Sequence, residues 1–97
     1  MSVKGKRFIV TGCATGMGRA TVSAFVRDGA EVVGFYRSRG IEKVEQDIAG
    51  MPGKAHFIRC DVSEEDQVRE STAEAVRLLG GLDGLVHAAA ISPTVAA

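Results

Sequence analysis

An α/β fold, a doubly wound parallel sheet with four strands in the order 3-2-1-4, is predicted by three observations. Short apolar runs alternate with stretches of helical spacing along the whole chain. The first run, Phe8-Ile9-Val10, does not alternate with polar residues, as a strand covered on both faces requires. A glycine-punctuated turn, Gly12 to Gly18, joins that run to the first helical stretch. Strands and helices in strict alternation build a parallel sheet with right-handed crossovers.

Each element has its own signal. Lys6 to Thr11 reads as the first strand. Met17 to Asp28 follows as a helix with Met17, Ala20, Ala24 and Phe25 as its apolar stripe, and Gly29 stands at the C-cap position. Glu31 to Phe35 is the second strand. Ile41, Val44, Ile48 and Ala49 space as a helix face that Gly50, Pro52 and Gly53 end. Ala55 to Cys60 is the third strand. Ser63 with Asp66 fits a capping box, and Glu64 and Glu65 suit a first helical turn. That helix presents Val68, Ala75, Val76 and Leu79 and stops at Gly80-Gly81. Leu82 to Ala88 is the fourth strand, and Pro93 to Ala97 read as a frayed end.

Size and charge narrow the function. Ninety-seven residues make one small domain. Twelve basic and twelve acidic side chains give no net charge to draw the chain to nucleic acid or an anionic membrane. No apolar run approaches a bilayer span, and Lys4, Lys6 and Arg7 precede too short an apolar stretch for a signal peptide. Cys13 and Cys60 fall in different elements and form neither a disulfide framework nor a metal pattern, so a cytoplasmic setting is expected.

The turn carries the chemistry. In a doubly wound sheet the ligand crevice opens where the strand order reverses, at the carboxyl ends of the first and fourth strands, and residues 12–18 and 88–92 fall there. Gly12, Gly16 and Gly18 let the backbone turn tightly and approach a ligand closely. The amides and positive dipole end of the following helix then face an anion, and the Thr15 hydroxyl adds a donor. By itself the turn is equally a plain helix entry.

Thr11-Gly12-Cys13-Ala14-Thr15-Gly16-Met17-Gly18 resembles the Thr-Gly-x-x-x-Gly-x-Gly motif of the short-chain dehydrogenase/reductase family, with Met17 in place of the usual isoleucine. The resemblance covers the N-terminal, cofactor-binding part of a family member and implies a partial Rossmann-type, dinucleotide-binding domain over residues 1–97. It implies hydride transfer between NADP(H) and a carbonyl or secondary alcohol in the parent protein, the present chain being an N-terminal fragment of it. A non-catalytic dinucleotide-binding module or split-protein partner is the alternative.

Cofactor choice turns on Tyr36-Arg37-Ser38-Arg39. A carboxylate after the second strand favours NAD(H) by holding the ribose 2′-hydroxyl. Arginine pairs instead with a 2′-phosphate, and Tyr36 or Arg37 is able to stack on adenine. NADP(H) is therefore favoured over NAD(H), the other reading being a solvated loop. A basic residue at Arg37 also resembles NADP-preferring family members, although Thr15 stands where many of them carry a second basic residue.

Asp61-Val62 resembles the family's Asp-Val pair beside adenine; alone, Asp61 serves equally as a cap for the next helix. His87-Ala88-Ala89-Ala90 resembles the Asn-Asn-Ala-Gly segment bordering the cofactor ribose, with His87 for asparagine and Ala90 for glycine. Where that position requires positive φ, alanine costs about 1 kcal/mol or more. His56 has no evident partner, and both histidines read as structural. Cys13 reads as a small residue at a crowded turn, although a helix N-terminus is able to lower a thiol pKa.

The family's proton-transfer pair, Tyr-x-x-x-Lys, has no match here. The sole tyrosine, Tyr36, is followed four positions on by Gly40, and no lysine occurs after Lys54. No catalytic residue is assigned, and these residues by themselves are expected to be inactive. Ending at the fourth strand leaves an apolar sheet edge, which predicts self-association.

Overall fold

A computed structural model describes residues 3–14, 16–37 and 40–88. The elements are β1 (Arg7–Thr11), α1 (Gly16–Arg27), β2 (Glu31–Tyr36), α2 (Ile41–Ile48), β3 (Lys54–Arg59), α3 (Glu65–Leu79) and β4 (Gly84–His87). The strands form one sheet in the order β3-β2-β1-β4, the order expected of the doubly wound class. Every neighbouring pair is parallel, and the registers set Thr11 beside both Phe35 and His87.

Side chains alternate between the two faces of the sheet. On one face Val10 and Val32 pack with Val22 and Val26 of α1 and Val44 of α2, and Cys13 and Ala88 complete the cluster. On the other, Ile9, Val33 and Phe35 pack with Cys60 and with Ala75 and Leu79 of α3. Burying a valine- or phenylalanine-sized side chain is worth about 1.5–3 kcal/mol, so these two layers hold the strand ends in place. Cys13 and Cys60 belong to opposite layers, which keeps their thiols apart.

The helix faces differ from the predicted stripes. In α1 the buried line is Gly18, Val22 and Val26, whereas Met17 is 54% exposed and Ala20 is also exposed. Gly18 draws the helix against the turn before it, and this rotates the i, i+4, i+8 row that it begins onto the sheet. A glycine leaves no mark in a hydrophobic pattern. Phe25 keeps its predicted inward role, flanking the core and stacking on Phe8 at 4.4 Å between ring centroids. In α3 the buried residues are Ser71, Ala75 and Leu79, while Val76 faces outward.

The predicted capping box does not form. Glu64 is the N-cap of α3 and makes no side-chain cap bond, because Ser63 is turned back onto Asp61. β4 is shorter than predicted for a related reason. The Asp83 carboxylate accepts from the Arg7 amide at 2.9 Å while the Asp83 amide donates to the Arg7 carbonyl at 2.8 Å. The chain is held there by a side-chain clasp, and the ladder begins only at Gly84. Pro93 to Ala97 lie outside the described residues.

Candidate functional site

The carboxyl ends of the four strands bring together most of the residues singled out above. Thr11 and Gly12 leave β1 beside His87 of β4, and the Thr11 hydroxyl donates to the Val86 carbonyl at 3.4 Å. Tyr36 and Arg37 end β2 beside Arg59, with Asp61 and Val62 just beyond β3. The strand order reverses between β1 and β4, so the first turn and the end of β4 lie at the switch point where sheets of this class bind ligands.

Two glycines give the first turn its shape. Gly12 has φ +67°, in the left-handed region that a side chain disfavours. A Cβ on Gly18 would stand 1.9 Å from the Gly12 carbonyl oxygen. The start of α1 therefore rests directly on the backbone of the turn. A Cβ on Gly16, the first residue of α1, would meet nothing beyond its own stretch of chain within 4 Å, and Gly16 faces outward. The turn is tied to its surroundings by the Cys13 amide, which donates to the Phe35 carbonyl at 3.1 Å. Arg19 in α1 pairs through two nitrogens with the Asp47 carboxylate at the end of α2, one contact being 3.0 Å.

The three helix N-termini differ in charge. The first turn of α2 contains Glu42 and that of α3 contains Glu65 and Asp66, whereas that of α1 contains no acid. The positive end of the α1 dipole is thus left without a side-chain counter-charge in its own first turn. Open space at Gly16, close backbone packing at Gly12–Gly18 and this missing acid together fit a diphosphate group.

Just beyond β3, Asp61 is tightly engaged. The Ser63 hydroxyl and amide both donate to its Oδ1, at 2.7 and 3.0 Å. These bonds hold the carboxyl below its ordinary pKa, and the nearby Arg37 charge acts in the same direction. Arg37 is 82% exposed, with its Nε 3.8 Å from Asp61 Oδ2. Val62 presents an exposed apolar surface beside them. A cation, a carboxylate and an apolar side chain thus stand side by side beyond the ends of β2 and β3.

Some expectations fare differently. Thr15, Ser38, Ala89 and Ala90 lie outside the described residues. Ala88 packs into the core at 3% exposure, and His87 is exposed at the end of β4. His56 does have a partner, since its Nε2 lies 3.2 Å from Glu31 Oε2 on the neighbouring strand. The Cys13 thiol is buried, and burial pushes its pKa up to about 12. Burial outweighs the lowering by a backbone hydrogen bond, so Cys13 fills space and is not the activated thiol that a helix N-terminus is able to produce.

Sequence reading missed three residues. Arg59 donates through Nε to the Arg37 carbonyl, Gln67 accepts from the Asp61 amide at 3.0 Å, and Gly34 underlies the first turn. Each acts across elements, so no local spacing announces it. Among the described residues there is no cluster fit to hold a metal ion, and no helix is long and apolar enough to cross a membrane.

A family model described as short chain dehydrogenase matches residues 6–97. The chain is 40% identical over 89 residues to a 2,5-dichloro-2,5-cyclohexadiene-1,4-diol dehydrogenase of Sphingobium indicum, an alignment covering 92% of this chain and 35% of that protein. It is 38% identical over 95 residues to the 15-hydroxyprostaglandin dehydrogenase (NAD(+)) of Bos taurus, covering 95% and 36%. A solved short-chain type dehydrogenase/reductase from Mycobacterium marinum superposes with a TM-score of 0.80 at 39% identity, over 87% of this chain and 34% of that one. The chain spans about a third of the length of the curated relatives it matches.

Proposed function

This chain belongs to the short-chain dehydrogenase/reductase family, and from that premise we propose that it is the cofactor-binding part of an oxidoreductase acting between NADP(H) and a carbonyl or secondary alcohol. The observation that carries this reading is the N-terminus of α1, which opens outward at Gly16 and has no acid in its first turn. When bound, the nicotinamide supplies the hydride chemistry. The chain's own residues bind and orient. Gly12, Thr15, Gly16, Met17 and Gly18 receive the diphosphate. Arg37, with Tyr36 and Ser38 beside it, receives the 2′-phosphate; Tyr36 or Arg37 stacks on the adenine, which Asp61 and Val62 border; and Ala88, Ala89 and Ala90 border the cofactor ribose. Arg37 favours NADP(H), because a guanidinium pairs bidentately with a phosphate and finds no such partner on a bare ribose.

The test is calorimetric titration of the 97-residue chain with NADPH and with NADH. Saturable binding, tighter for NADPH, is expected. Failure of both nucleotides to bind overturns the reading.

A second reading is a dinucleotide-binding module without chemistry, or one partner of a split protein. Incubation with NADPH and a panel of ketones separates the two: this chain alone is expected to bind without turnover. Self-association belongs to the same proposal. Leu82, just before β4, and Leu85, within it, are 40% and 48% exposed, and β4 is an outer strand of the sheet among the described residues. Sedimentation showing a stable monomer at tens of micromolar would count against it.

A further inference from the structure

The turn after β1 is seated on β2 through one pair of residues. Gly34 lies in the middle of β2, on the face that carries Val32, and pairs with Val10 of β1. A Cβ built on it would stand 2.8 Å from Cys13 Sγ, 2.9 Å from Cys13 Cβ and 3.0 Å from a ring carbon of Phe57. Glycine inside a strand weakens it, and commonly marks a place where another part of the chain comes close. Here the missing side chain leaves a notch that the fully buried Cys13 side chain fills. The Cys13 amide bonds the Phe35 carbonyl one residue further along the same strand.

We propose that Cys13 and Gly34 are a size-matched pair that sets the height of the Gly12–Gly18 turn above the sheet, making Gly34 a positioning residue for dinucleotide affinity although it touches no ligand. The proposal rests on the dinucleotide reading given above. Its physical basis is the close packing of the interior, where a single methyl group is not absorbed without movement. Any Cβ at position 34 must displace either Phe57 or Cys13. Cys13 is joined directly to Gly12, whose carbonyl already bears on Gly18, so displacing Cys13 moves the amides at the mouth of α1.

The experiment compares four forms of the 97-residue chain, each held well below its unfolding midpoint. Gly34→Ala is expected to raise the Kd for NADPH at least tenfold. Adding Cys13→Gly, which empties the space the new methyl needs, is expected to return Kd to within about threefold of the parent. Val33→Ala is the control: it removes buried volume from the opposite layer and is expected to lower the unfolding midpoint while leaving Kd within twofold. Normal binding by Gly34→Ala, no rescue in the double variant, or an equal loss in Val33→Ala overturns the proposal. If Gly34→Ala does not fold, Cys13→Val overfills the same notch from the other side and should raise Kd at least threefold; an unchanged Kd overturns the proposal.

Hydrogen exchange at the residue 13 amide reads the pair without nucleotide. Exchange should quicken in Gly34→Ala and stay at the parent rate in Val33→Ala. Failure of the parent to bind either nucleotide would remove the functional reading alone. An unchanged exchange rate in Gly34→Ala would remove the pair.

Discussion

Arg37 Nε stands 3.8 Å from Asp61 Oδ2, so the residue that follows β2 meets one that lies two positions beyond β3. The contact is loose and Arg37 is mostly exposed. Such a pair contributes little to stability, and it leaves the guanidinium free to exchange one anion for another.

Arg37→Asp follows from that exchange. The variant replaces a partner of a 2′-phosphate with a group that repels it. NADPH affinity should fall at least tenfold, in line with the roughly 1.5–3 kcal/mol of a hydrogen bond to a charged group. NADH affinity should hold or improve. Paired titrations check this, and an unchanged ratio of the two affinities removes Arg37 from the specificity argument.

Met17→Glu separates stability from binding by sign. Met17 is exposed in the first turn of α1, so an acid there completes the helix dipole and should stabilise the fold by about 0.3–1 kcal/mol. The same charge opposes a diphosphate at the helix mouth. NADPH affinity should drop by about threefold or more, and added salt should shrink the loss. Thermal unfolding and titration of one sample measure both effects.

Gly18→Ala tests the contact between α1 and its turn. The new methyl would meet the Gly12 carbonyl oxygen at 1.9 Å, against backbone that has no spare room. We expect a loss of more than about 3 kcal/mol, at the severe end for single substitutions. Denaturant unfolding reads it directly; a near-normal midpoint would mean that the helix and turn are not packed as described.

Stability should fall in acid in a defined direction. Asp47, Asp61 and Asp83 are all held below the ordinary value of 3.8, chiefly by hydrogen bonds from Arg19, Ser63 and Arg7 respectively. The unfolded chain then binds protons more readily than the folded one, so their contribution is complete above the unfolded value and disappears as pH falls through the lower folded values. Asp83→Asn, which abolishes one titration and weakens the clasp on Arg7, should lower stability at neutral pH and flatten its decline below about pH 4. Unfolding midpoints across that range check both effects.

The local code was legible where chemistry and neighbours agreed. Alternating strands and helices and the run from Gly12 to Gly18 follow from spacing and from the backbone freedom of glycine, and the strand order from the doubly wound class that they indicate. The family followed from the same residues. The sequence by itself determined, therefore, where the chain turns and which ends of the strands meet.

Only the tertiary structure decided which faces are buried and what each polar group does. Met17 looked inward by spacing yet points out, because Gly18, with no hydrophobicity to read, sets the rotation of α1. Ser63 looked like a cap yet serves Asp61, and His56 looked solitary yet meets Glu31 across the sheet. Gly34 carried no signal at all, since a notch exists only when another segment fills it. The physical reason is common to all four. Periodicity reports the surroundings of a residue along its own element, while burial and partner choice depend on atoms brought close by strands and helices far away in the chain.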